Sequence, residues 1–385
     1  MSDKKITPIM LLSKKILSEY DLCDYCLGRM FAKKLNLKSY SSLGKKIHKK
    51  LKIQNKKCHI CKNVFEALPF YVEKMLNVSS EYQYNSFLIG AKIKPSFLDR
   101  DDQIRSQFKL KGIDGVKTNI TKELTKLFTR KIKCSQNIRE PDIILTIDFK
   151  TESCEINSKS VYLSGRYTKT IRGISQKQKP CSNCLGKGCI TCGKHGMTEF
   201  DSVEGLMSKY FFEKFGALQA KITWIGGEDS TSLVMGKGRP FFARLVNPKK
   251  RQLLLPKNID LGNIKIYGLK QIPKIPFGPV QFQSSVKLDI ETENPITQDS
   301  IVKLDELVDR TIAVYEKSGK RSEKKIYSVK YEVTSPNSFT VEMKIDGGIP
   351  LKHFVNGENV FPNVSDLISN KCTLAQFDFE QILTH

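Results

Sequence analysis

Apolar residues recur along this chain with two periods, and the switches between them mark out helices and strands. Val203, Leu206, Met207, Tyr210, Phe211 and Phe215 share one face of a helix that Ser202 can cap and Gly216 can close. Pro141-Asp142 opens the apolar run from Ile143 to Phe149, which reads as a half-buried strand, with Val161-Tyr162-Leu163 as its expected neighbour. Further strands are expected from Ile222 to Ile225, from Ile326 to Val333 and from Phe339 to Ile345, the last two joined by a Pro336-Asn337-Ser338 turn. The Pro-rich run from Pro273 to Pro279 and the charged stretch from Glu316 to Lys325 read as surface loops. Residues 1–75 combine a lysine-rich amphipathic pattern with two Cys-x-x-Cys pairs, a small module too short to hold a large core of its own. Helices followed by antiparallel strands predict an α+β fold.

Charge narrows the partners. The 385 residues carry 64 Lys+Arg against 40 Asp+Glu, a formal charge of +24, as expected of a protein that meets phosphate backbones. The excess is clustered: between Tyr25 and Phe65 there is no acidic residue, while Arg29, Lys33, Lys34, Lys38, Lys45, Lys46, Lys49, Lys50, Lys52, Lys56, Lys57 and Lys62 all fall there. No run of about 18 apolar residues is present and Met1 to Ile9 has no long apolar stretch, so neither a membrane span nor a secretory signal is expected and the location should be cytoplasmic.

Eight of the 11 cysteines form four close pairs, a spacing that in an intracellular chain points to metal rather than disulfides. Cys23, Cys26, Cys58 and Cys61 form the first set, with 31 residues between its two knuckles; two thiolates from each turn complete a tetrahedron for structural Zn²⁺. An iron–sulfur cluster is the alternative ligand of four cysteines. Cys181, Cys184, Cys189 and Cys192 lie within 12 residues, and Gly186 and Gly188 allow the sharp turns this demands. His59 and His195 are the lesser candidates for ligation, since four thiolates already close each site.

Trp224-Ile225-Gly226-Gly227-Glu228-Asp229 runs off an apolar strand into glycines and two carboxylates, followed by Gly236-Lys237-Gly238-Arg239-Pro240-Phe241. A strand-to-loop carboxylate is a candidate nucleophile, although acidic residues in Gly-containing loops are usually solvated. Several stretches in register resolve the choice. Leu22 to Ala32, Ser164-Gly165-Arg166-Tyr167-Thr168-Lys169, Arg172-Gly173-Ile174-Ser175-Gln176, the compact cysteine knuckle, Gly226 to Asp229, Gly236 to Phe241, Leu245-Val246-Asn247-Pro248, Gly347-Gly348, Leu351-Lys352 and Phe354-Val355 together resemble the archaeal and eukaryotic tRNA pseudouridine synthases of the Pus-ten family.

That resemblance implies a zinc-binding module at 1–75, a THUMP-like RNA-binding domain at 76–165 and a pseudouridine synthase domain at 166–385 with a mixed, mainly antiparallel sheet and a zinc-knuckle insertion at 180–196. It further implies tRNA as partner, uridines 54 and 55 of the TΨC loop as substrate, Asp229 as nucleophile and no small-molecule cofactor for catalysis. Phe282 stands where the family usually has an active-site tyrosine and Leu351 at its aliphatic pocket position; Lys352, Arg239 and Arg166 are the further substrate-binding candidates. Arg239, Arg310 or Lys352 is the expected cation beside Asp229, because a buried loop position would raise its pKa and a cation should hold it ionised. The family's Gly-Arg-Glu-Asp here reads Gly226-Gly227-Glu228-Asp229. Two other classes compete: a non-catalytic zinc-dependent RNA-binding factor, and another THUMP-linked tRNA-modifying enzyme. No glycine-rich loop suited to S-adenosylmethionine and no P-loop supports the latter.

Overall fold

The computed structural model describes residues 6–37, 39–54, 56–316 and 318–384. Contacts divide the chain into two units, 1–159 and 160–385.

The first unit opens with four helices, α1 (Thr7–Glu19), α2 (Asp24–Ala32), α3 (Tyr40–Leu51) and α4 (Val64–Ser79). There follow β1 (Ser86–Lys92), α5 (Pro95–Gln107), α6 (Val116–Thr129), β2 (Ser135–Gln136), β3 (Ile143–Asp148) and β4 (Ser153–Ser158). The sheet order is β2-β1-β3-β4, parallel between β1 and its two neighbours and antiparallel between β3 and β4. A parallel β1–β3 pair needs a crossover, which α5 and α6 supply. One apolar core joins the cysteine segment to the sheet: Leu27, Ile47 and Met75 belong with Phe87, Leu124 and Leu145. The boundary expected at residue 75 falls inside α4, because that helix packs on α6 and β4. Helices α2 and α3 meet backbone to backbone, where a Cβ at Gly28 would lie 1.8 Å from the Tyr40 carbonyl oxygen.

The second unit contains β5 (Val161–Lys169), α7 (Val203–Phe215), β6 (Gln219–Trp224), β7 (Leu233–Val246), β8 (Asn258–Asp260), β9 (Ile264–Ile272) and β10 (Phe282–Thr292). After it come α8 (Gln298–Ile301), β11 (Thr311–Tyr315), β12 (Arg321–Ser335), β13 (Ser338–Asp346), α9 (Leu351–Asn356), β14 (Val360–Phe361), α10 (Val364–Ile368) and β15 (Cys372–Thr384). The strands join in the order β14-β11-β12-β13-β10-β15-β7-β5-β9-β8, with β6 also paired to β7. All pairings are antiparallel except β15 with β7, so the sheet is mixed and mainly antiparallel. That parallel pair is a seam between two apolar cores, one under α7 and the other under α9 and α10. Helix α7 starts and stops as its sequence predicts: Ser202 Oγ accepts from the Gly205 N–H at 2.9 Å, and Gly216 is left-handed.

Two local expectations change. Val161 to Leu163 pairs with β7 and β9, whereas the neighbours of β3 are β1 and β4; the boundary expected at 165 therefore falls inside β5. Arg321 to Lys325 is strand, because it pairs with β11 in a hairpin. Among the described residues no helix is long and apolar enough to cross a membrane.

Candidate active site

The loop from Ile225 to Ser232 links β6 to β7 at the seam between the two cores. It is held almost carbonyl by carbonyl. Arg239 donates to the Ile225 oxygen at 3.0 Å, Gln176 to that of Gly226 at 3.4 Å and Lys169 Nζ to that of Asp229 at 2.8 Å. The Gly173 N–H donates to the Ser230 oxygen at 2.7 Å, and Arg172 to that of Thr231. Arg172 also forks onto Asp378 at 2.6 and 2.7 Å, and Asp378 accepts from the Leu233 N–H at 2.9 Å. The Gly-Arg-Tyr-Thr-Lys segment and its continuation thus position the loop.

Its two carboxylates lie in opposite environments. Glu228 is fully buried, 3.1 Å from Arg239 Nε and 3.6 Å from Lys169 Nζ, both equally buried. Burial pulls the Lys169 ammonium below the ordinary lysine range, against the pull of Glu228. The Arg239 guanidinium stacks on the Phe379 ring at 4.2 Å. Asp229 opens instead onto a cleft of about 580 Å³ whose walls include Gly227, Ile349, Leu351, Lys352, Phe377 and Phe379. Its Oδ1 accepts from the Thr231 N–H and hydroxyl at 2.9 and 2.8 Å and from the Ser232 N–H at 3.1 Å. Its Oδ2 lies 2.8 Å from Lys352 Nζ. Partial burial raises this carboxyl, but Lys352 and Thr231 outweigh it and hold the acid below the usual carboxylate range.

Of the three cations expected beside Asp229, the structure brings up Lys352. Arg239 is spent on Glu228, and Arg310 lies 3.4 Å from Glu306 on an exposed turn. Leu351 lines the cleft. Arg166, a substrate-binding candidate, instead donates to the carbonyls of Lys237, Gly238 and Ile382, because its strand places it over the β7 backbone. Phe282 is wedged beside the loop: a Cβ at Gly347 would lie 2.3 Å from its ring, and one at Gly226 2.7 Å from the ring and 2.5 Å from Arg239 Nη1, so a side chain at either position would force a neighbour to move. The aromatic rings on the cleft wall are Tyr315, Phe377 and Phe379. Glu228, Lys169, Arg172 and Asp378 join the site only through the fold: Lys169 lies between Thr168 and Thr170 in a run that also carries Arg166 and Arg172, so nothing local marks it as a buried cation.

Both cysteine sets converge, with all four sulfurs of each within 4.8 Å of one another. Sγ–Sγ separations of 3.6 Å for Cys23–Cys61, 3.7 Å for Cys189–Cys192 and 3.8 Å for Cys184–Cys192 match the edge of about 3.8 Å that a tetrahedron with metal–sulfur bonds near 2.3 Å requires. Backbone N–H groups of Gly188, Cys189 and Gly196 donate to sulfurs of the second set at 3.2–3.3 Å, as suits thiolates. The histidines are engaged elsewhere: His59 packs on Tyr20, and His195 stacks on Phe212 at 4.1 Å. In the lysine block, Arg29 is buried against Asp101, ten lysines are exposed, and Lys38 lies outside the described residues.

Comparison with known proteins agrees with this geometry. The family model described as Pus10, C-terminal, matches residues 162–382, and that described as Pus10 THUMP domain, archaeal, matches residues 71–148. The chain is 50% identical over 379 residues to the tRNA pseudouridine synthase Pus10 of Nitrosopumilus maritimus, covering 98% of each chain. It is 38% identical to the protein of the same name from Cenarchaeum symbiosum, over 94% of this chain and 90% of that one. Against the protein of that name from Methanocaldococcus jannaschii the identity is 27%, over 97% and 94% of the two chains. The chain therefore belongs to the Pus10 family of tRNA pseudouridine synthases, archaeal in type.

Proposed function

We propose that the chain isomerises uridines 54 and 55 in the TΨC loop of tRNA, with Asp229 as the nucleophile. The observation that carries this is the Asp229 carboxylate, which faces an aromatic-walled cleft with a cation 2.8 Å away while its neighbour Glu228 is buried between Arg239 and Lys169. In the reaction the N1–C1′ bond breaks, the uracil turns and a C5–C1′ bond forms. C5 loses a proton and N1 gains one, so the product is an isomer and no oxidant or reductant is consumed. An ionised carboxylate serves as covalent nucleophile or base. Lys352 keeps it ionised, Thr231 and Ser232 orient it, and Leu351 bounds the pocket. The uridine must be flipped out of its stack to reach it.

Exposed Lys45, Lys46, Lys49 and Lys50 of α3 contact tRNA phosphates in this reading, and the enzyme works in the cytoplasm. Structural Zn²⁺ sits on each cysteine set, the first within the core of its unit and the second between β5 and α7. When bound, the metal crosslinks its loops; closed thiolate sites leave no position for substrate.

The test is incubation with unmodified tRNA transcript and mapping of pseudouridine. Product at 54 and 55 is expected, and Asp229→Asn should form none while keeping its tRNA affinity, since one side chain contributes little to a phosphate-dominated interface. Turnover by Asp229→Asn would overturn the assignment. Elemental analysis should find zinc on both cysteine sets, and chelation should melt the first unit, whose core includes Cys23, Cys26, Cys58 and Cys61.

A further inference from the structure

A second cleft, of about 750 Å³, lies on the sheet face opposite α7. Leu163, Ala243 and Leu269 point into the core under α7, so their neighbours Ser164, Phe242 and Lys270 line the other face. The loop from Pro276 to Gln281 forms the far wall. At its tip Phe277 is 103% exposed, in a loop where Pro276 and Pro279 have fixed φ and restrict Ile275 and Gly278 before them. Among the described residues no carboxylate lines this cleft, while Lys270 is exposed on its wall and Lys274 in the adjoining loop. Tyr267 and Phe242 supply further rings.

The cleft begins where the catalytic loop does. Ile225 is on its wall and Gly227 on that of the Asp229 cleft, and Gln281 precedes Phe282, which is wedged against Gly226. An RNA strand with one base at Asp229 would therefore lead its neighbour to the turn between the two clefts. Flipping one nucleotide also unstacks the next, and an aromatic surface beside a cation recovers part of that cost whatever the base.

We propose that this cleft is a second nucleotide site, which receives an unstacked base of the tRNA loop adjacent to the uridine at Asp229. The base stacks on Phe277 and its phosphate lies towards Lys270. The inference rests on the reading of Asp229 as the site of uridine isomerisation, and it makes recognition of the loop a two-base event.

The test substitutes Phe277→Ala and Phe277→Trp and measures isomerisation of unmodified tRNA transcript. Phe277→Ala should raise KM at least about fivefold, the weakening expected for one stacked base. The rate at saturating tRNA should stay within about twofold of the parent and Phe277→Trp should restore KM, the pattern of a binding contact away from the reacting atoms. An unchanged Tm is expected, since the ring is fully exposed. In parallel, 2-aminopurine replaces the base on either side of the target uridine in tRNA bound to Asp229→Asn. Its fluorescence should change on binding at one of the two positions and lose that change in the Phe277→Ala background. Unaltered KM together with a probe signal indifferent to Phe277 would overturn the second site. Absence of pseudouridine with the parent enzyme would instead overturn the reading of Asp229, and the probe arm would still decide whether the cleft holds a base.

Discussion

The lysines of α3 and the cations behind Asp229 do opposite work. Lys45, Lys46, Lys49 and Lys50 on α3 are exposed, whereas Lys169 and Arg239 around the Asp229 loop have no exposed side-chain surface and share the carboxylate of Glu228. An exposed charge interacts through water, contributes little to folding and is screened by salt. A buried one must be matched, because its lost hydration is recovered only by a partner and hydrogen bonds. The same chemical group is thus a replaceable contact on α3 and part of the frame beside Glu228.

Glu228→Gln breaks the comparison most directly, since it strands two buried cations. It should destabilise the catalytic unit by roughly 3–5 kcal/mol, seen as a Tm at least about 6 °C lower, and reduce isomerisation with it. A Tm within about 1–2 °C of the parent, as for a surface change, would mean that the pair is not the frame of the loop. Lys352 is intermediate, an exposed cation on a partly buried carboxylate. The Asp229 acid is held low, so it is ionised above its folded pKa and activity falls only as pH drops through that value. Lys352→Met removes the lowering influence and should move the acid limb of the pH–rate profile to higher pH; an unmoved limb would show that Thr231 and Ser232 suffice. The smallest effect on folding belongs to the quadruple neutralisation of Lys45, Lys46, Lys49 and Lys50. Stability should change by no more than about 0.5 kcal/mol, while tRNA affinity falls and the salt slope flattens by about one unit for every phosphate that is no longer neutralised. Equal affinity and slope would reduce the block to a solvated face.

What the sequence revealed follows the range of the interaction. Helix α7 was legible from its cap, its stripe and its glycine, all within a few turns. The β12–β13 hairpin was legible because Pro336-Asn337-Ser338 separates two apolar runs, and the cysteine sets because ligand spacing is itself local. Strand partners were not: Val161 to Leu163 has the alternation of a strand, but nothing in it names β7 and β9 rather than β3. The Arg321 end of β12 lacks an apolar alternation because its residues are largely exposed, so only its pairing with β11 makes it strand. Motifs in register single out Asp229, but which of three cations meets it depends on how β7 and α9 meet the loop. Asp378, 206 residues from Arg172, gave no local sign at all.

The Phe282 ring and the two glycines beside it occupy one shared volume. A methyl group at Gly347 would sit 2.3 Å from the ring and one at Gly226 2.7 Å, so neither position can gain a side chain while the ring stays. Shrinking residue 282 alone would open a void beside the catalytic loop, with the usual cost of an unfilled cavity. Any evolutionary path that re-shapes this corner must therefore change its members in concert. Such mutual dependence makes the order of substitutions matter: a side chain introduced at 347 must displace the Phe282 ring, whereas one that follows a smaller residue at 282 need not.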